Sequence, residues 1–257
     1  MKIYQILLLC ILCCKTMAQE NISVEYNQIF NTEFPKIGTG LLQIYNDKSI
    51  FIKMVNTYRD NLGSNKQSYF DSLEAINPDV ANGEKITITF DGNFDYYFYL
   101  NDKKNNKFSY TDELSKKLYL IEDNFKLEWS ILDETKIISG YKAYKAETFF
   151  RGRKWIAWFC PDLPYPYGPW KLYGLPGLIL EAYDETLRYN YIAIKVFNNK
   201  ESIPFSCEKC SEINIVSFVK NKFEIKENSL FILDRDTKVI RYDVKHNAQE
   251  LKYEWEE

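Results

Sequence analysis

Apolar and polar residues alternate with a period of two through most of the chain, the pattern of strands with one buried face. Ile22-Ser23-Val24-Glu25-Tyr26 opens it. Leu41–Tyr45 and Ser49–Val55 flank Asn46-Asp47-Lys48, which predicts a hairpin. Ile86–Phe90 and Asp95–Leu100 flank Asp91-Gly92-Asn93 and predict another, with residues that tolerate positive φ at the turn. A third turn falls at Asp102–Asn106. Phe108–Tyr110, Lys117–Glu122, Lys126–Ser130 and Tyr141–Phe150 read as further strands, and Arg151-Gly152-Arg153 turns the chain into Lys154–Phe159. Leu178–Tyr183 and Tyr189–Phe197 follow, joined by Asp184–Arg188. Lys238–Val244 and Leu251–Trp255 are later strand candidates. Helical patterning is confined to Ser68–Ile76 and Ile213–Phe223, and the second also suits a strand. With 20 Tyr and 17 Phe, the chain fits a pleated, half-buried surface. The prediction is a mainly β single domain with an antiparallel sheet and one or two short helices.

The N-terminus departs from this pattern. Lys2 precedes an apolar run, Ile3–Cys14, broken only by Gln5, and Thr16 and Ala18 supply the small residues that signal peptidase requires. Residues 1–18 therefore read as a signal peptide cleaved after Ala18, and 19–257 as one β-rich domain. Twelve residues are too few to cross a bilayer core, which needs about 20. No later apolar run is long enough either, so no integral membrane segment is expected after cleavage. The expected location is the periplasm or outer envelope. Cleavage leaves 31 Lys and Arg against 36 Asp and Glu, a net charge of −5. That balance argues against nucleic acid, which is held by excess Lys and Arg.

Candidate chemistry is sparse. Cys207-Glu208-Lys209-Cys210 lies in a loop-like context, so a structural disulfide is favoured over a redox pair or half of a zinc site. Cys160 then reads as a small buried thiol. His246 is the only histidine and sits among polar residues. No nucleophile elbow, metalloprotease helix or phosphate loop occurs, and no cofactor or metal is implied. Asp71-Ser72-Leu73 resembles the Asp-Ser/Thr-aliphatic site at which exported Bacteroidetes proteins are O-glycosylated, which marks Ser72.

The densest local signal is Trp155–Leu180, with three Trp, three Tyr, five Pro and three Gly in 26 residues. Leu175-Pro176-Gly177-Leu178 suits a type II turn, and Gly168-Pro169 and Gly174 add fixed bends. Leu178 and Ile179 lead into the next strand. Trp158, Tyr165, Tyr167, Trp170 and Tyr173 form a candidate aromatic platform, with Arg151, Arg153 and Lys171 at its edge. The opposing expectation is a rigid loop that plugs one end of the sheet.

Gly174-Leu175-Pro176-Gly177-Leu178-Ile179 spells the motif of the GLPGLI family of exported Bacteroidetes-type proteins. The likeness extends over roughly Glu128–Glu181, through Trp129, Glu134-Thr135-Lys136, Ile138-Ser139-Gly140-Tyr141, Lys145-Ala146, Gly152-Arg153, Trp155–Phe159 and Gly168-Pro169-Trp170-Lys171. The chain resembles that family, and the resemblance implies export without naming a reaction. The strand, turn and acidic residue of Leu178–Val196 also look similar to the curved half-barrels of periplasmic lipoprotein carriers, a likeness that implies a curved antiparallel sheet, a half-barrel, rather than a sandwich. The expectation is a non-catalytic binding or accessory module for an envelope protein, peptide, glycan or lipid. The alternatives are an envelope hydrolase using Asp162 with Glu181 or Asp184, and a purely structural or interaction protein.

Overall fold

A computed structural model describes residues 21–32, 36–54, 97–198, 207, 210–229 and 248–256. Twelve strands form one open sheet. They are β1 (Ile22–Phe30), β2 (Lys36–Tyr45), β3 (Lys48–Met54), β4 (Phe98–Asp102), β5 (Lys107–Leu114) and β6 (Lys117–Glu122). Then come β7 (Ser130–Ile138), β8 (Tyr141–Phe150), β9 (Arg153–Cys160), β10 (Leu178–Asp184), β11 (Tyr189–Asn198) and β12 (Ser211–Asn214), followed by helix α1 (Ile215–Ser229). Their order is β12-β6-β5-β4-β3-β2-β1-β11-β10-β9-β8-β7. All neighbours run antiparallel except β12, which pairs parallel with β6. Three tight hairpins, at Ser115-Lys116, Ser139-Gly140 and Arg151-Gly152, have positive φ at both residues, which matches the right-handed twist of the strands they join.

Chain length shows that the sheet is strongly curled. β6 and β7 stand ten positions apart, about 48 Å in a flat sheet. Yet the eight steps from Glu122 to Ser130 span at most about 29 Å. Ring contacts agree: Phe51 on β3 and Tyr191 on β11 are three positions apart in the order, with centroids 6.0 Å apart. The main core lies largely on the concave face, where Val24, Tyr26, Leu42 and Phe51 meet Trp155, Ala157, Ile179 and Tyr191. A smaller core joins Phe108, Tyr110, Leu114 and Ile121 to Ile215, Phe218 and Val219 of α1. The spacing of those three helical residues is that of one face.

Several sequence expectations needed correction. Lys126–Ser130 is not a strand. Its alternation is real, with Leu127 and Trp129 half-buried between exposed neighbours, but the segment crosses the opening without a ladder partner. The strand instead runs over β7, where a bulge between Ile131 and Thr135 breaks the period. Leu251–Trp255 is also irregular; Leu251 N and Lys252 N both donate to Arg151 O. Ile213–Phe223 divides, since Asn214 ends β12 and its Oδ1 accepts from Ser217 N at 2.9 Å, capping α1. The signal peptide, Ile86–Phe90, the Asp91-Gly92-Asn93 turn, Ser68–Ile76 with Ser72, Lys238–Val244 and His246 lie outside the described residues. Cys207 and Cys210 are disulfide-bonded, and Cys160 is a buried free thiol.

Candidate functional site

The loop between β9 and β10 carries the aromatic Gly/Pro segment and folds back into the curled sheet. Its shape comes from its own backbone: Gly174 N donates to Pro166 O at 2.9 Å, Ile179 N to Tyr167 O at 3.0 Å and Leu178 N to Leu163 O at 2.9 Å. The expected type II turn is absent. Gly177 N donates to Leu175 O at 2.8 Å, a three-residue turn for which the fixed φ of Pro176 is suited. Gly177 is needed for space instead, because a Cβ there would lie 2.2 Å from Cys160 O. Gly174 supplies the positive φ, at 96°. Leu172, Leu175, Leu178 and Ile179 are buried.

The eight residues read as a platform with a cationic edge do not form one surface. Trp170 is buried between Trp155 and Phe150, with ring centroids 5.0 and 5.9 Å away. Its φ of 57° is left-handed, a strained state for a bulky residue that the surrounding packing must hold. Trp158 stands three residues from Trp155 on β9, so it faces the other side of the sheet. It is buried there under Lys136, whose Nζ lies 4.4 Å from the ring. Tyr165 is half-buried against the main core. Only Tyr167 and Tyr173 reach a shared opening.

The three cations lie inside. The side chains of Arg151 and Lys171 are each 1% exposed. Arg151 donates to both oxygens of Asp123, at 2.6 and 2.8 Å, and its Nε donates to Glu254 at 3.0 Å. Lys171 Nζ donates to Asp123 at 2.7 Å and to Glu250 at 2.8 Å, and sits 4.1 Å from the Tyr110 ring centre. Arg153 donates to Asp184 at 2.9 Å and to Ala248 O at 2.7 Å. These bonds fasten residues 248–256 across the β8–β9 turn. Burial pushes the Asp123 carboxyl up, but Lys171 and Arg151 outweigh it and hold it below the usual carboxylate range. Burial and Glu250 push the Tyr110 phenol well up, so it stays protonated. No local pattern marks Asp123 or Glu250 as partners, since they are 28 and 99 residues from Arg151.

The carboxylates proposed for hydrolysis are dispersed. Cys160 pairs with Leu178 and Trp155 with Asp184, so Asp162 and Asp184 lie at opposite ends of the β9–β10 pair, about 20 Å apart. Glu181 bonds to Lys136 between them, and Asp184 is buried against Arg153. Retaining and inverting pairs need about 5–9.5 Å.

Beside the plug lies a cleft of about 180 Å³. The β4–β5 turn forms one wall, with Asn106 and Lys107. Asn124 and Phe125 of the crossing segment form the second, and Tyr167 and Tyr173 the third. Tyr173 Oη donates to Phe125 O at 2.8 Å, joining two walls. Tyr167 is itself 2% exposed, and burial, then Asp47 and Asp102, push its phenol up to about 12. No helix among the described residues is long and apolar enough to cross a membrane.

No family model matches the chain, and no curated protein sequence matches it. Among solved structures, two crystal forms of PNGF-II superpose with a TM-score of 0.52 at 17% and 16% identity. Each match covers 80% of this chain and 33% of the PNGF-II chain. The chain thus spans about a third of that protein's length, and at this identity the likeness is one of fold.

Proposed function

We propose that this chain is an exported envelope protein of the GLPGLI type, acting as a non-catalytic binding or accessory module. Its contact site is the cleft between the β4–β5 turn, the crossing segment and the aromatic loop. The observation that carries this reading is the division of the loop's side chains. Trp170, Lys171, Leu172 and Leu175 are committed to the core, whereas Tyr173 remains half-buried at an opening. A loop needed only as a plug has no reason to share an opening with amide side chains from two other segments. The hydrolase alternative finds no support in the β9–β10 register. An envelope protein, peptide, glycan or lipid each remains within the class of partner proposed.

A photo-crosslinking residue placed at Lys107, in the full-length protein in its own envelope, tests the reading. Lys107 is exposed and lines the cleft. The expected result is capture of a ligand or protein from Lys107 and none from Ile137, an exposed site on β7. Equal capture from both positions, or none from Lys107, overturns it.

A further inference from the structure

The chemistry of the cleft specifies its ligand more narrowly than the fold does. The cavity is below the roughly 300–1,000 Å³ of sites that engulf a drug-sized molecule. It therefore admits one ring-sized group at the tip of something larger. Phe108 and Tyr173 stack nearly parallel, 13° apart with centroids at 6.0 Å, so buried Phe108 backs the half-buried Tyr173 ring that gives the cleft its apolar side. Asn101, Asn106 and Asn124 supply amides. An amide offers a donor and an acceptor together, which matches a hydroxyl, itself both. A carboxylate or phosphate would call for donors alone, and an ammonium for acceptors alone.

Charge around the cleft points the same way. Lys107 Nζ is 2.9 Å from Glu122, so its charge is already answered, and Lys103, also in the lining, is exposed on the turn and is the one group there that phosphate would use. Asp102 is matched by Lys48 at 2.8 Å. The Tyr167 phenol keeps its proton at neutral pH. A neutral ring with apolar C–H faces and hydroxyl edges fits a site with an aromatic face and amide edges, where Lys107 is paired and Lys103 stands out in solvent.

Resting on the cleft as the contact site, we infer that it holds a single uncharged saccharide ring, the terminal unit of an envelope or extracellular glycan. The ring stacks on the aromatic side and shares hydroxyl hydrogen bonds with the three asparagines. One ring with few anchoring contacts binds at about millimolar strength.

The test uses the full chain with glucose, N-acetylglucosamine and inorganic phosphate as separate probes, read by ligand-observed saturation-transfer NMR. Asn124 is exposed and its amide meets Glu122 at 3.3 Å, so replacing it should leave the fold intact. At least one saccharide should saturate, Asn124→Ala should weaken it about five- to tenfold, and Asn124→Trp should abolish it by filling the cleft. An unchanged melting temperature in both variants keeps these losses local. No transfer from either sugar up to roughly 50 mM, or transfer that survives Asn124→Trp, overturns the inference. Phosphate binding that Asn124→Trp removes, without sugar binding, also overturns it but leaves the cleft as a contact site. Failure of the Lys107 crosslink as well would remove both readings.

Discussion

Replacing Lys171 with methionine tests whether the buried charge cluster is a coupled unit. In the native protein Arg151 and Lys171 face Asp123, Glu250 and Glu254, and Lys171 bridges Asp123 and Glu250. Methionine keeps most of the side-chain volume and removes the ammonium. Asp123 retains its two bonds from Arg151, but buried Asp123 and partly buried Glu250 each lose a partner, at 2.7 and 2.8 Å. Removing one member of a buried pair costs about 3–5 kcal/mol, because the remaining charge is left desolvated. Residual pairing with Arg151 places Lys171→Met near about 3 kcal/mol. Glu250→Gln relieves part of that excess, so the double variant should be more stable than the sum of the single costs by at least about 1 kcal/mol. Urea unfolding at pH 7 of the four proteins measures this coupling. A Lys171→Met cost under about 1 kcal/mol, or strict additivity, would refute the account of the cluster.

Three other outcomes follow from the same geometry. Acid should destabilise the native protein as pH falls below about 4: Asp123 titrates lower folded than unfolded, so its contribution is present above the unfolded pKa and lost through the folded one. Urea unfolding from pH 7 to pH 2.5 should show that loss, and a smaller one in Lys171→Met. Gly177→Ala should cost about 3 kcal/mol or more, since its Cβ meets the Cys160 carbonyl at 2.2 Å, whereas Gly174→Ala, with nothing closer than 4.0 Å, should cost about 1 kcal/mol for its positive φ alone; equal costs would contradict the close approach. Trp170→Ala should destabilise by about 3–5 kcal/mol through lost packing on Trp155 and Phe150, and a near-neutral thermal melt would mean the ring is not buried as described.

Strands were legible where one face is wet and the ladder is regular. Lys117–Glu122 and Tyr141–Phe150 were placed to the residue, and β9, β10 and β11 within one. β7 was missed because its bulge shifts the apolar residues out of phase and leaves Ile131 and Ile137 exposed. The alternating crossing segment patterns like a strand because burial period reports a half-covered extended chain, whether or not a neighbour completes its hydrogen bonds. The Leu175–Leu178 turn departs from its local pattern for a related reason: Pro-Gly carries a strong turn preference, but the space behind Gly177 is set by Cys160 at the end of β9.

The site was less legible, and the cause is sequence distance. Arg151, Arg153 and Lys171 looked like the rim of a platform because long cations are usually solvated. Their partners, Asp123, Asp184 and Glu250, come from three other segments, and no local pattern marks an acid that will be buried with a base. That pairing also explains why the cleft keeps its shape. Asp123 immediately precedes Asn124 and Phe125 on one wall, and Lys171 stands two residues before Tyr173 on another. One bond of 2.7 Å between Lys171 and Asp123 therefore ties the roots of both walls, while Tyr173 to Phe125 ties their tips. Wall positions fixed by a buried ion pair cost a ligand little ordering entropy on binding. Lys171→Met should accordingly weaken saccharide binding more than its distance from the cleft suggests, even at temperatures where the variant remains folded. The same NMR titration at 10 °C checks this, and an affinity equal to that of the native protein would separate the cluster's role in stability from any role at the site.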